Sequence, residues 1–340
     1  MCGMKAVVDS RGRTIDYLRL SVTDRCNLRC MYCMPAGGVV WRPHSEILSF
    51  EETIRLCRIL GDLGIRTIRV TGGEPLVRRG ITGLFRELKT LPGIERLTMT
   101  TNGLLLDRYL DELDGMLDGI NISLDTLDPE RFFRITGQGP EGLAAILRGM
   151  DRTGAKGIPV KVNSVLIRGV NDEDLLSLAA LAEQRAEAVR FIELMPLGRA
   201  ASMEGVTGEA VMGALEKKYG TLRPWPGKLG NGPAVYYAIP GFEEKPGGKL
   251  GFINAMSRAF CGQCNRIRLG AEGLLQPCLA ADTSLDLRTL LRSGVSDGGL
   301  ADAIEAFAAK KPQGHGFEDP CVCGAETATL PVREMFRIGG

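Results

Sequence analysis

The run Cys26-Asn27-Leu28-Arg29-Cys30-Met31-Tyr32-Cys33 sets three thiols with three and two residues between them. A cubane iron-sulfur cluster has four irons, and ferredoxin-type electron carriers hold all four with cysteine thiolates. Three thiolates leave one iron open to a small molecule, so this spacing points to chemistry at the cluster rather than electron transfer alone. A second set, Cys261-Gly262-Gln263-Cys264 followed after thirteen residues by Cys278, again supplies three thiolates. The competing reading is structural zinc, which takes four Cys or His ligands in short clips. Only His44 and His315 are available, and His44 lies eleven residues past Cys33. Zinc is the stronger rival at the second set, where two clips of a zinc ribbon could share the spacing if a fourth ligand came from elsewhere. A redox dithiol needs no third thiol.

Such groups need elements to hold them. From Tyr17 to about Met195, short β-rich runs alternate with helical patterns, the sign of successive βα units and a parallel sheet. The expected strands are Tyr17 to Thr23, Thr67 to Thr71, Arg96 to Thr101, Gly119 to Leu124, Pro159 to Ile167 and Ala188 to Met195. Helices are expected at Phe50 to Leu63, Ile81 to Thr90, Gly142 to Thr153 and Glu173 to Arg185, the last opened by Asn171 and Asp172 as capping candidates. Six units are too few for a full eight-unit barrel. The first cysteine run directly follows the first strand, which places it at the C-terminal rim of a βα barrel, where active sites form. Thr71-Gly72-Gly73-Glu74-Pro75 falls at the same rim after the second strand. Its glycines allow close backbone approach to a ligand, the plain alternative being a strand-to-helix turn.

Side chains alternate faces along a strand. Arg19 and Ser21 oppose the apolar Leu18, Leu20 and Val22, and the pattern repeats in Thr67, Arg69 and Thr71, in Thr98 and Thr100, in Asn121 and Ser123, and in Lys161 and Asn163. In a barrel whose outer face packs on helices, this polar set points into a wet lumen able to hold a charged substrate. Any single Thr or Asn could instead pair with a neighbour or solvent. Between the second cysteines, Arg266 and Arg268 share one strand face, and paired arginines suit phosphate oxygens, a solvated face being the alternative.

The 340-residue chain is long enough for one large α/β barrel plus an appendage. Forty-two basic residues nearly balance forty-one acidic ones, which argues against a nucleic-acid polymer or an anionic membrane as partner. No signal-peptide core and no spanning apolar stretch is present, so a soluble cytoplasmic chain is expected. Ten cysteines in that compartment argue for metal ligation over disulfides. Cys57 reads as core, whereas Cys2, Cys321 and Cys323 read as loop or terminal thiols. After Met195 the alternation stops, and Pro224 to Gly232 reads as a hinge. Strands at Val235 to Ile239 and Leu250 to Ala255, then helices around Leu285 to Leu291 and Gly299 to Ala309, suggest a small C-terminal α+β region. The expected domains are 1–222 and 223–340. Gly137-Gln138-Gly139-Pro140-Glu141-Gly142 lacks the βαβ context of a dinucleotide fingerprint and is discounted.

The first cysteine run together with Gly72-Gly73-Glu74-Pro75 resembles the radical S-adenosylmethionine superfamily. The second set with its internal arginines narrows the resemblance to the GTP 3',8-cyclase family of molybdenum cofactor biosynthesis. It extends over Leu18 to Cys33, Ile68 to Arg79, Thr100 to Leu106, Asn121 to Asp125, Val160 to Asp172, Arg190 to Met195, Cys261 to Leu279 and Gly339-Gly340.

The resemblance implies an incomplete (β/α)6 TIM-like barrel with a small C-terminal α+β region carrying a second iron-sulfur cluster. It implies two [4Fe-4S] clusters, on Cys26, Cys30 and Cys33 and on Cys261, Cys264 and Cys278, the first binding S-adenosylmethionine and the second the guanine of GTP. A 5'-deoxyadenosyl radical would take hydrogen from ribose C3', and the carbon radical would attack guanine C8, giving 3',8-cyclo-7,8-dihydro-GTP. By motif position Arg19, Arg69, Thr100, Lys161, Arg266 and Arg268 would hold GTP. Tyr32, Gly73, Ser123 and Met195 would line the S-adenosylmethionine site. Gly339 and Gly340 would reach into the barrel to complete catalysis beside Arg19, Arg266 and Arg268. The implied partners are a one-electron reductant, a downstream pyranopterin-forming enzyme and a second copy in a homodimer. Glu318 to Leu330 departs from the family's tail. The alternatives are a peptide-modifying radical S-adenosylmethionine enzyme with an auxiliary cluster and a zinc-stabilised binding protein.

Overall fold

The computed structural model describes residues 6–35, 37–317 and 335–338. Cys2, Cys321, Cys323, Gly339 and Gly340 lie outside the described residues. A short hairpin, β1 (Val7–Val8) with β2 (Thr14–Ile15), precedes the six expected strands. These are β3 (Tyr17–Ser21), β4 (Thr67–Thr71), β5 (Arg96–Thr101), β6 (Ile120–Ser123), β7 (Val160–Val165) and β8 (Ala188–Ile192). They pair in parallel and in chain order. Connecting helices include α1 (Phe50–Asp62), α2 (Ile81–Lys89), α3 (Leu106–Tyr109), α4 (Pro129–Thr136), α5 (Pro140–Ala155), α6 (Leu175–Gln184) and α7 (Gly208–Tyr219).

One strand face is apolar and packs beneath these helices. Leu18, Leu20, Ile68, Val70, Leu97, Met99, Ile122 and Val162 are fully or almost fully buried there, with Leu56, Leu60, Leu84, Phe85 and Ile146 from the helices. Burying each such side chain contributes about 1.5–3 kcal/mol. Cys57 belongs to this core, as expected. Helix α1 starts at a capping box, in which the Ser49 hydroxyl accepts from the Glu52 amide while Glu52 accepts from the Ser49 amide.

The C-terminal strands do not form a sheet of their own. β11 (Lys249–Ile253) pairs in parallel with β8, and β12 (Arg266–Leu269) pairs in parallel with β3 at the opposite edge. Eight parallel strands therefore run in the order β12-β3-β4-β5-β6-β7-β8-β11. Antiparallel strands continue both edges, β10 (Val235–Ala238) and β9 (Arg223–Trp225) beyond β11, and β13 (Leu274–Gln276) and β14 (Leu285–Asp286) beyond β12. Helices α8 (Leu287–Arg292) and α9 (Asp297–Ala308) follow.

Two local expectations change. Asn171 and Asp172 do not cap α6, because a 3-10 turn at Asp172–Asp174 intervenes. Asn171 is buried and sews loops together, its amide donating to the Asp125 and Val165 carbonyls and its oxygen accepting from the Ile167 amide. The stretch read as a hinge holds β9 and a loop at the N-terminal ends of the barrel strands, where Asn231 Nδ2 donates to Thr67 Oγ1 at 3.2 Å. Among the described residues no helix is long and apolar enough to cross a membrane.

Candidate active site

The loop carrying Cys26, Cys30 and Cys33 leaves the C-terminal end of β3 and is held by the ends of several neighbours. Gly73 donates its amide to Thr23 O at 2.7 Å, and Glu74 donates to Arg25 O at 2.8 Å. A Cβ on Gly73 would stand 2.4 Å from Arg25 O, so only glycine permits this approach. Asn102, after β5, donates to Asn27 Oδ1 at 2.8 Å, and the amides of Arg29 and Met31 donate to the carbonyls of Thr136 and Ile135 at the end of α4. The Tyr32 hydroxyl donates to Asp125 Oδ2 at 2.6 Å, after β6, and Arg199 donates to Met31 O at 3.0 Å, beyond β8.

Burial dominates the electrostatics of this rim. It raises Asp125 to about 6 against the stabilising Tyr32 hydroxyl and Val165 amide, and pushes the Cys26 thiol up to about 11. Metal ligation would reverse the second effect, because a thiol binds iron only as thiolate.

The polar strand face lines the lumen as periodicity predicts. Register sets Arg268, Arg19 and Arg69 side by side across three strands, and Asn121 beside both Thr100 and Lys161. Lys161 reaches Glu187 at 2.8 Å, while Arg69 donates to Thr98 Oγ1 and lies 5.6 Å from the Tyr17 ring centre. Burial and the neighbouring Arg268, Arg69 and Arg266 charges hold Arg19 well below the ordinary guanidinium range. Mutual repulsion of this kind is relieved by a bound anion.

Arg190 completes the cationic set and was absent from the sequence-derived site. It stands on β8 in register with Asn163, is 3% exposed, and donates to Asn121 Oδ1. Gly251 on β11 makes room for it, since a Cβ there would meet Arg190 Cγ at 2.7 Å. A lone arginine in an otherwise apolar run gave little sign, although the period-two rule applied to β8 points it into the lumen.

The second triad is built by the β12–β13 hairpin. Cys264 lies two residues before β12, Cys278 two residues after β13, and Cys261 in a 3-10 turn just upstream. Because β12 runs parallel to β3, this triad lies beyond the N-terminal ends of the two strands, whereas the first lies beyond the C-terminal end of β3. The span of β3 alone is about 13 Å. The Cys264 thiol is raised by burial, but the charges of Arg266 and Lys311 and hydrogen bonds from Arg266 outweigh that and leave it below the ordinary thiol value.

A single cavity of about 290 Å³ joins the two triads. All six cysteines line it, with Tyr32, Gly73, Ser123 and Met195 near the first triad and Arg19, Thr100, Arg266 and Arg268 between the two. Arg69 and Lys161 do not line it. They border a second space of about 10 Å³ at the opposite strand ends, roofed by Leu229, Gly230 and Asn231. Thr100 Oγ1 and Asn163 Oδ1 are buried without a hydrogen-bond partner, as polar atoms awaiting a ligand would be. Met335 and Phe336 line the cavity too, Phe336 packing edge-on to Trp41 at 6.1 Å, which brings the chain to the cavity just before Gly339 and Gly340.

The six thiols suit iron-sulfur clusters. All six are partly exposed and line this cavity, and the first triad has nearby donors in the Leu28 amide and Asn102 amide, both directed at Cys26 Sγ. Among the described residues no set of three or more Cys, His, Asp or Glu side chains is placed to hold a lone metal ion.

A parallel barrel sheet with a three-cysteine loop on the rim of its first barrel strand defines a radical S-adenosylmethionine protein, and the model of the Radical SAM superfamily matches residues 20–182. A second model, Molybdenum Cofactor Synthesis C, matches residues 187–317. The GTP 3',8-cyclase of Heliobacterium modesticaldum is 46% identical over 318 residues, covering 92% of this chain and 95% of the relative. That of Moorella thermoacetica is 42% identical over 336 residues, covering 98% and 99%. The chain belongs to the GTP 3',8-cyclase family. The crystal structure of Streptococcus suis SuiB bound to S-adenosylmethionine shares the fold, with a TM-score of 0.59 at 16% identity over 87% of this chain and 69% of that one.

Proposed function

We propose that this protein converts GTP to 3',8-cyclo-7,8-dihydro-GTP in molybdenum cofactor biosynthesis, using S-adenosylmethionine and two [4Fe-4S] clusters. The observation that carries this reading is one cavity with a cysteine triad at each end and arginines between them. When bound, the first cluster and S-adenosylmethionine supply the 5'-deoxyadenosyl radical that starts the reaction. Cys26, Cys30 and Cys33 hold that cluster, and Gly73, Ser123, Tyr32 and Met195 shape the surrounding wall for S-adenosylmethionine. Cys261, Cys264 and Cys278 would hold the second cluster, which would supply an open iron for the guanine end of the substrate. Arg266, Arg268 and Arg19 run from that end along the lumen, with Thr100 and Asn163 offering oxygens to the sugar or base. Arg69, Lys161 and Arg190 lie deeper and receive phosphate oxygens through charge-assisted hydrogen bonds, which return what the anion loses on leaving water. Opening the small lower space to the main cavity requires side-chain movement around Asn121.

Residues 223–340 serve in this reading as the auxiliary-cluster region, and Gly339 and Gly340 take part in catalysis with Arg19, Arg266 and Arg268. An external one-electron reductant serves the first site, and a pyranopterin-forming enzyme takes the product. Reconstituted, reduced protein incubated anaerobically with S-adenosylmethionine, with and without GTP, tests the proposal. GTP should stimulate deoxyadenosine formation and be consumed to a cyclised nucleotide. A Cys261→Ala variant that retained full cyclisation would remove the substrate-site role of the second cluster.

A further inference from the structure

Arg13 and Lys311 are buried cations off the barrel strands, 8% and 4% exposed; Lys311 lines the cavity beside the second triad, Arg13 does not, and neither belongs to the substrate-binding set. Every N–H of the Arg13 guanidinium is used. Nε donates to Asp9 Oδ2 at 2.5 Å, Nη1 to Cys261 O at 2.7 Å and Gln313 O at 3.4 Å, and Nη2 to Lys311 O at 3.2 Å and Pro312 O at 2.8 Å. One side chain thus ties the β1–β2 hairpin to the first cysteine of the second triad and to the segment following α9. Lys311 continues the connection, its ammonium donating to Arg266 O at 2.7 Å and to Pro277 O. Arg266 lies two residues past Cys264, and Pro277 directly precedes Cys278. The same segment brings the His315 amide to the Cys261 sulfur.

We infer that Arg13 and Lys311 form a two-cation clamp that positions the turn bearing Cys261 and Cys264 against the segment bearing Cys278, so that assembly of the second cluster depends on the N-terminal hairpin. The inference rests on the two-cluster reading. Its physical basis is that the turn bearing Cys261 and Cys264 and the separate segment bearing Cys278 must be fixed together before metal arrives, or binding bears the cost of ordering them. Carbonyl oxygens fixed by full charges are held more firmly than by neutral donors. The Lys311 charge also faces the Cys264 and Cys278 sulfurs and offsets the repulsion of gathered thiolates. Asp9 keeps the guanidinium in place, accepting the Arg11 and Arg13 amides through Oδ1 at 2.9 and 3.0 Å. Both cations are positioning residues.

The test uses the full chain, reconstituted anaerobically, as wild type, Arg13→Lys, Lys311→Gln and the surface control Arg152→Gln. The readouts are iron and sulfide per chain, the electron paramagnetic resonance spectrum of the reduced protein, and deoxyadenosine formed without GTP. Wild type and control should hold about eight irons, two cubanes' worth. The clamp variants should fall toward about four, losing the second-site signal while keeping the first-site signal and GTP-independent cleavage. Clamp variants that retained a full second cluster would overturn the inference. So would loss of both clusters together in Lys311→Gln, which would make the pair a general folding element. A wild type with one cluster would instead remove the two-cluster reading itself, and the inference with it.

Discussion

Glu74 is wholly buried at the rim of the barrel, and its carboxylate is the acceptor for three donors: the Leu76 amide at 3.0 Å, the Thr101 hydroxyl at 2.9 Å and the Asn102 amide at 2.7 Å. Burial nevertheless outweighs these donors and raises it to about 7, from an ordinary 4.5. As pH rises through that interval, the unfolded chain releases this proton while the folded chain retains it. The contribution of Glu74 is therefore full below 4.5 and declines toward pH 7, by about 3 kcal/mol at most. Urea unfolding of cluster-free protein at about pH 5 and about pH 7 should show a smaller loss of stability across the interval in Glu74→Gln than in wild type. Equal losses would remove Glu74 as the source. The six cysteines proposed as cluster ligands were legible in the sequence because each triad's spacing is local. Arg190, Arg13 and Lys311 were not, since each reads as an ordinary cation until its partners on distant strands and loops are known.

The element that decides the first site is the paired descent of the β3 and β4 ends. Val22 donates to Thr71 O, and Gly73 and Glu74 donate back to Thr23 and Arg25, so the two rim loops form one surface. Gly73→Ala should force the cysteine loop outward, because the new Cβ would strike the backbone of Arg25 at 2.4 and 2.7 Å. We expect at least a tenfold fall in deoxyadenosine formation, with first-site iron reduced by chemical analysis. Gly83→Ala in α2 is the matched control, since nothing lies within 4 Å of its Cβ position. It should leave cleavage unchanged and raise stability by about 1 kcal/mol at most. Normal cleavage in Gly73→Ala would show that the close approach is dispensable. Strand alternation by itself revealed the lumen face, because period two is a property of one chain segment. The capping expectation at Asn171 failed because its side chain bonds across to Asp125 and Val165, a choice made by tertiary contacts.

At the scale of the whole molecule, the C-terminal region is woven into both edges of the twelve-stranded sheet. β11 and β12 belong to the same stretch of chain yet are separated by six strands. Residues 223–340 expressed alone should therefore lack both parallel partners, and circular dichroism and amide spectra should show an unfolded or aggregated chain. A cooperative thermal transition in that fragment would contradict this. The sequence by itself determined the alternating βα order, the lumen-facing cations and the two cysteine triads, because periodicity and ligand spacing are short-range. Only the tertiary structure decided that strands from the end of the chain flank its beginning and that the triads face each other through one cavity. Strand pairing is set by which edges meet and which side chains fill the space between them, and no single segment carries that information.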